Sequence, residues 1–239
     1  MLVKKILIDK KGNIHYWIKG DLHTQFGVVK EQDIEKTDGI LKSNWDKEFL
    51  CFNASFIDQF NKLNRGPAVP HIKDIAYIIT YTGINKDSKI LDAGTGCGFL
   101  ALFLANISDN VTSYESNKET LKIAEGNIKK LNLKIKLKNK DIYQGIEEKD
   151  LDLITLDLLE PWLVLPHAEK SLKHGAFLVS YLPNITQVQK LIEESKRYNF
   201  YQDKILELIE REWIVNDKIV RPKNQIIGHT AFLVFLRKI

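Results

Sequence analysis

Asp92, Gly94, Gly96 and Gly98 stand at alternate positions in KILDAGTGCG (Lys89–Gly98), directly after a short apolar run. A strand that stops on such a loop and feeds a helix, here FLALFLANI, lets a ligand press on bare backbone, because glycine has no Cβ to obstruct it. In open α/β sheets ligands bind there, beyond the carboxyl ends of the strands. Thr95 and Cys97 belong to the same cofactor-binding loop, Cys97 as a small spacer. The loop departs from the dinucleotide fingerprint, since Phe99 takes the place of its third glycine, and this disfavours an NAD-dependent dehydrogenase. Glu115 ends the next strand-like run, VTSYE, about 20 residues beyond the loop, where a carboxylate can hold both ribose hydroxyls of an adenosine.

Two further acids follow strands. Asp141, in KNKDIY, can accept a hydrogen bond from the exocyclic amine of an adenine, or cap a helix or turn. Asp157 ends LDLITLD, across from the glycine loop. A carboxylate there can accept from an amino group on a substrate ring and favour positive charge building up on that ring. The structural alternative is a turn acid ahead of Pro161.

These residues need a parallel sheet to bring them together. From Asp87 onward strand and helix alternate, which predicts an α/β fold. Strand candidates are SKILDA, NVTSYE, KIKLK, LDLITLD and GAFLVSYL. The clearest helix is KETLKIAEGNIKKL, with Leu121, Ala124, Ile128 and Leu131 on one face. After a helix near Ile185 to Arg197, the segments ILELIEREWIV and TAFLVFLRK are expected to close the sheet as an antiparallel hairpin. Residues 1–55 read as a small β-rich domain: KKILIDKKGNIHYWI as a hairpin, with short strands in HTQFGVV and DGILKS. Residues 56–239 form the second domain, entered through two helices over 56–86 that flank RGPAVPHIKD, with Gly83 as a stop.

The chain has 239 residues, 44% hydrophobic and 28% charged, and a net charge of +4. That is the composition of an ordinary globular protein, and the mild positive charge permits a polyanionic partner without demanding one. Cys51 and Cys97 lack metal-ligand spacing, and no metal site is expected. The opening MLVKKILIDKKG is broken by charges and FLALFLA is far too short to cross a bilayer, so a cytoplasmic protein with no membrane partner is expected. The lysines from Lys129 to Lys140 read as a solvated face. His229 reads as structural. Trp162 could pack beneath the loop or stack on a base.

The loop and ribose acid together resemble the cofactor loop of class I S-adenosylmethionine-dependent methyltransferases. The resemblance sharpens with LDLLEPW, RPKNQIIGHTAFLVFLRK, GDLHTQFG and RGPAVPHIKDIAYII, which together are similar to the tRNA (adenine-N1)-methyltransferase family. It implies a Rossmann-like class I methyltransferase sheet behind a small N-terminal β-rich domain, usually in a homotetramer. The implied reaction is methylation of N1 of adenine 58 in the tRNA T-loop, and of adenine 57 in some archaeal members. The family's catalytic aspartate falls on Asp157, its ribose acid on Glu115 and its adenine-contacting acid on Asp141. S-adenosylmethionine is then bound by Gly94, Thr95, Gly96, Cys97, Gly98, Glu115, Asp141 and Asp157, and tRNA by His71, Lys73 and Arg221. The family pattern R-x-T-Q-x-x-Y-P-K-D keeps Arg65, Lys73 and Asp74 here, but Ala68 replaces the glutamine and His71 the tyrosine. An imidazole can still stack on a base, whereas Ala68 cannot replace an amide. Two rivals stay open: a non-catalytic tRNA-binding subunit, and a small-molecule methyltransferase on the same scaffold.

Overall fold

The computed structural model describes residues 2–66 and 69–239. The chain divides into two compact units, Met1–Asn64 with Lys129–Asn132, and Arg65–Ile128 with Leu133–Ile239. In the first, β1 (Lys5–Asp9), β2 (Ile14–Trp17), β3 (Leu22–Thr24) and β4 (Gly27–Val29) precede α1 (Glu31–Lys36). Then come β5 (Gly39–Lys42), β6 (Glu48–Asn53) and the short α2 (Phe56–Phe60). Strand order is β2-β1-β6-β5, all antiparallel, and β3 and β4 form a separate hairpin. In β6 the side chains alternate as a one-sided sheet requires: Phe49 and Cys51 are buried while Leu50 and Phe52 face out. The inner set packs on Leu7, Trp17, Val29, Ile34 and Leu41. The β1–β2 turn is organised by Asp9, whose carboxylate accepts from the backbone N–H of Lys11 and Asn13 and from the Asn13 and His15 side chains. Burial works to raise its pKa, yet these hydrogen bonds outweigh it and hold it near 2.

The second unit opens with α3 (Ile72–Thr82), which stops at Gly83 in the left-handed conformation (φ 64°). It continues through β7 (Lys89–Ala93), α4 (Phe99–Ile107), β8 (Asn110–Glu115), α5 (Lys118–Leu131, whose last residues, from Lys129, count with the first unit) and β9 (Ile135–Asn139). After β10 (Leu151–Leu156) come α6 (Leu165–Ser171), β11 (Leu172–Leu182), α7 (Ile185–Ser195) and β12 (Phe200–Leu206). The last elements are β13 (Trp213–Asn216), β14 (Ile219–Pro222) and β15 (Phe232–Lys238). The seven-stranded sheet runs β12-β15-β11-β10-β7-β8-β9, with β7 to β11 parallel and β15 antiparallel to both its neighbours.

This sheet bears out the expected Rossmann-like α/β class. Its central strands β7, β8 and β10 are buried on both faces, as parallel strands require, while the edge strands β9 and β12 are only partly covered. On β7 and β10, Ile90 and Leu153 pack toward α3 and α4, while Leu91 and Ile154 join the opposite layer with α6 and α7. The closing pair differs from the expected hairpin. ILELIEREWIV is not one strand: β12 begins earlier, at Phe200, and β13 pairs with β14 instead. Asp217, at φ 45°, supplies the tight turn that folds β13 onto β14. None of the described helices is long and apolar enough to cross a membrane.

Candidate active site

The register of the parallel strands decides which residues meet. Ala93 of β7 lies beside Leu156 of β10 on one side and Tyr114 of β8 on the other. Glu115 in turn pairs with Asn139 at the end of β9. The residues just beyond these ends, Gly94, Asp157 and Asp141, therefore share one edge of the sheet with Glu115. After β9 the chain returns to the far side of β7, so β7 and β10 part there, and such switch points leave a crevice for ligands.

Gly94, Gly96 and Gly98 all have positive φ, at 82°, 55° and 90°. At Gly94 the requirement is absolute, because a Cβ would lie 2.0 Å from the Asp157 carbonyl oxygen. The Asp157 N–H donates to the Ala93 carbonyl at 3.0 Å, so loop and acid are clamped together. Across the loop, Glu115 Oε2 accepts from the Gly96 N–H at 2.9 Å, and Oε1 from the Asn117 N–H at 2.9 Å.

A buried polar network holds the loop from below. The Asp92 carboxyl accepts from Thr155 Oγ1 (2.8 Å) and Ser113 Oγ (2.6 Å), and Ser113 Oγ lies 2.6 Å from Thr95 Oγ1. Burial pushes the Asp92 pKa up to about 6 against the pull of the two hydroxyls. From α5, the buried Asn127 donates to the Cys97 carbonyl at 2.9 Å. Sequence reading missed Ser113, Thr155 and Asn127. Their signal was polarity where apolar residues are expected: inside two buried strands, and three residues after Ala124 on the inner face of α5.

The Asp157 carboxyl, half-buried, has no hydrogen-bond partner among the described residues. Burial pushes its pKa up to about 7, and the Asp92 carboxyl adds to the shift. Asp141 caps the short 3-10 turn Ile142–Gln144, accepting from the Tyr143 N–H at 3.0 Å. Only one carboxylate oxygen is used in that bond. Pro70, Cys97, Phe99 and Leu100 close a hollow of about 10 Å³ between the loop and Asp157, room for one water.

The residues expected to meet tRNA are more scattered. Partly exposed, His71 caps α3 from the position after Pro70, with Nδ1 3.9 Å from Glu210. The Lys73 ammonium is turned inward, 2.7 Å from Asp74 Oδ1 and 2.6 Å from Thr230 Oγ1, and its charge is neutralised within the fold. Arg221 lies exposed on β14 and bonds Asn224 and the Pro222 carbonyl. Trp162 packs against the core, with Lys190 Nζ 4.0 Å from its ring. Ala68 lies outside the described residues.

A glycine loop held tightly against the Asp157 backbone, with Glu115, Asp141 and Asp157 along the same edge of the sheet, suits a nucleoside bearing a positive charge. The chain is similar to known methyltransferases. A Methanocaldococcus jannaschii TrmI, named tRNA (adenine(57)-N(1)/adenine(58)-N(1))-methyltransferase, is 31% identical over 272 aligned residues, covering 99% of this chain and 95% of that protein. The crystal structure of tRNA (m1A58) methyltransferase TrmI from Aquifex aeolicus superposes with a TM-score of 0.83 at 29% identity, covering 99% of this chain and 96% of that one. A SAM-dependent O-methyltransferase from Thermotoga maritima superposes at 0.86 with 25% identity, covering 99% and 92%. Residues 63–220 match the family described as tRNA methyltransferase complex GCD14 subunit, and the chain belongs to that family.

Proposed function

We propose that the chain transfers a methyl group from S-adenosylmethionine to N1 of adenine 58, and in some substrates adenine 57, of the tRNA T-loop. The observation that carries this reading is the half-buried Asp157 carboxyl, clamped against the glycine loop at Gly94 and bonded to no other described side chain. Glu115 holds the ribose, the bare backbone of the glycine loop lies against the amino-acid part of the cofactor, and the free oxygen of Asp141 takes the adenine amine. When bound, the cofactor supplies a methyl on a sulfonium; the N1 lone pair forms the new bond and sulfur keeps the old pair.

Asp157 accepts a hydrogen bond from the 6-amino group of the target adenine, which aims N1. Its negative charge stabilises the cation that grows on the ring, a contribution realised only as transfer proceeds. N1 lies on the Watson–Crick edge, so the base must first be swung out, costing a few kcal/mol. His71, which follows Pro70 of the hollow in sequence, stacks on that base, and Arg221 meets phosphate. Lys73 acts by holding Asp74 and Thr230 in place.

The β-rich residues 1–55 add an RNA-binding domain to a catalytic domain of residues 56–239. The chain works in the cytoplasm as a homo-oligomer, a tetramer. In support, the isolated β13–β14 hairpin exposes Trp213, Val215 and Val220 at 58%, 75% and 64%, and a two-stranded ribbon with apolar side chains in water needs a partner surface.

The test is incubation of the purified protein with unmodified tRNA and methyl-labelled S-adenosylmethionine, followed by mapping of the labelled nucleoside. 1-Methyladenosine at T-loop position 58 or 57 is expected. Label on a metabolite hydroxyl alone would favour the chemistry named for the Thermotoga structure, and cofactor-free tRNA binding would favour a non-catalytic subunit.

A further inference from the structure

The opposite end of the same sheet holds a second concavity that the methyl-transfer reading does not use. It is a cleft of about 620 Å³ at the amino-terminal ends of β7, β8, β9 and β10. Lys89, Lys134, Lys136 and Lys149 line it. Among the described residues, none of these four lysines pairs with a carboxylate. The only carboxylates in the lining are already engaged: Asp109 with Lys86 at 3.7 Å, and Glu148 with Lys138 at 2.6 Å.

The contrast along β9 is informative. Toward its carboxyl end, Lys138 and Lys140 are neutralised by two carboxylates, Lys138 by Glu148 at 2.6 Å and Glu147 at 2.8 Å, and Lys140 by Glu147 at 2.7 Å. Toward its amino end, Lys134 and Lys136 are left bare. Lysines placed on an edge strand only to prevent aggregation need no concavity and no convergence from neighbouring strands. Here three other strand starts turn toward the same hollow, and Leu133 and Ile135 give it an apolar side. Four uncompensated positive charges around a hollow of this size suit the phosphates of a polynucleotide.

We infer that this cleft is a second docking site for the tRNA substrate, binding the phosphate backbone of a part of the molecule remote from the target adenine. This rests on the tRNA reading given above. The cleft lies one strand length from the glycine loop, roughly 15–20 Å away, a distance that one RNA molecule spans easily. Contacts of this kind set register and affinity without reading sequence.

The double variant Lys134→Gln/Lys136→Gln tests it by filter binding and by turnover. Each lost phosphate contact should lower the slope of log Kd against log salt by about 0.7–0.9, so a drop of about 1.5 is expected. At moderate salt, KM for full-length tRNA should rise roughly tenfold with kcat little changed. Wild type should prefer full-length tRNA to an isolated T-arm hairpin, and the variant should lose that preference. A urea midpoint and an S-adenosylmethionine titration matching wild type verify that the variant is folded.

An unchanged salt slope and KM would overturn the inference. So would saturable micromolar AMP binding that Lys136→Gln abolishes while the tRNA slope stays put, because the cleft would then serve a free nucleotide. If wild type binds tRNA but methylates none, the catalytic reading fails instead, and the salt slopes still decide the role of the cleft.

Discussion

The two ends of the seven-stranded sheet are built from the same strands and carry opposite charge. At the carboxyl ends stand Asp92, Glu115, Asp141 and Asp157; at the amino ends stand Lys89, Lys134, Lys136 and Lys149. The acidic end is pre-organised, with its backbone clamped and its polar groups held by a buried network. The basic end has no such network among the described residues, and its lysines are exposed and paired with no carboxylate. The difference matches two tasks. A reacting group must be held in a fixed geometry, because small misplacements are costly, whereas phosphate contacts tolerate looseness and act by charge.

The sharpest way to break the comparison is at Asp157. Asp157→Ala should lower kcat about 10²–10³-fold and leave S-adenosylmethionine affinity nearly intact by calorimetry. Retained turnover would remove Asp157 from the chemistry. Next comes Gly94→Ala, which drives a methyl into the Asp157 carbonyl. Chemical denaturation should show a loss of about 3–4 kcal/mol, with cofactor binding abolished in whatever folds. A soluble variant with normal affinity would mean that the loop can move away from β10.

Asn127→Ala removes the donor to the Cys97 carbonyl from the buried network and should cost about 1–3 kcal/mol. Cofactor affinity should fall with it, whereas the salt dependence of tRNA binding should not change.

The smallest effect is set by pH. The Asp157 pKa is raised to about 7 in the folded chain, so its ionisation is disfavoured by folding. Stability should therefore fall as pH rises from about 4 to about 7 and level off above. In Asp157→Asn this part of the slope disappears. The variant should then gain about 1–2 kcal/mol over wild type at pH 8, a figure reduced for the partial exposure of the group. kcat/KM of wild type should rise over the same interval as the carboxylate forms. A flat profile would show that Asp157 is ionised throughout.

Much of this was legible in the sequence. KETLKIAEGNIKKL spans Lys118–Leu131 as read, and five alternating apolar runs became β7 to β11. Gly94, Glu115 and Asp157 could be set on strand ends because parallel sheets align those ends. The rest depended on long-range pairing. The strand Glu48–Asn53 went unread because one short amphipathic run carries little signal until β1 and β5 flank it. ILELIEREWIV alternates well enough for one strand, yet its two parts have different partners. Lys73 reads as a free cation until Thr230, 157 positions later, meets it. The basic cleft gathers its lysines from the starts of separate strands, so in the sequence Lys134 and Lys136 read only as part of a solvated face.

Gly94 rests on the carbonyl of the very residue whose side chain faces the hollow. Thermal tilting of the sheet edge therefore carries the platform and the acid along as one rigid piece. Platform and acid keep their mutual separation when they shift together, so alignment at the moment of transfer does not need the whole domain to stand still.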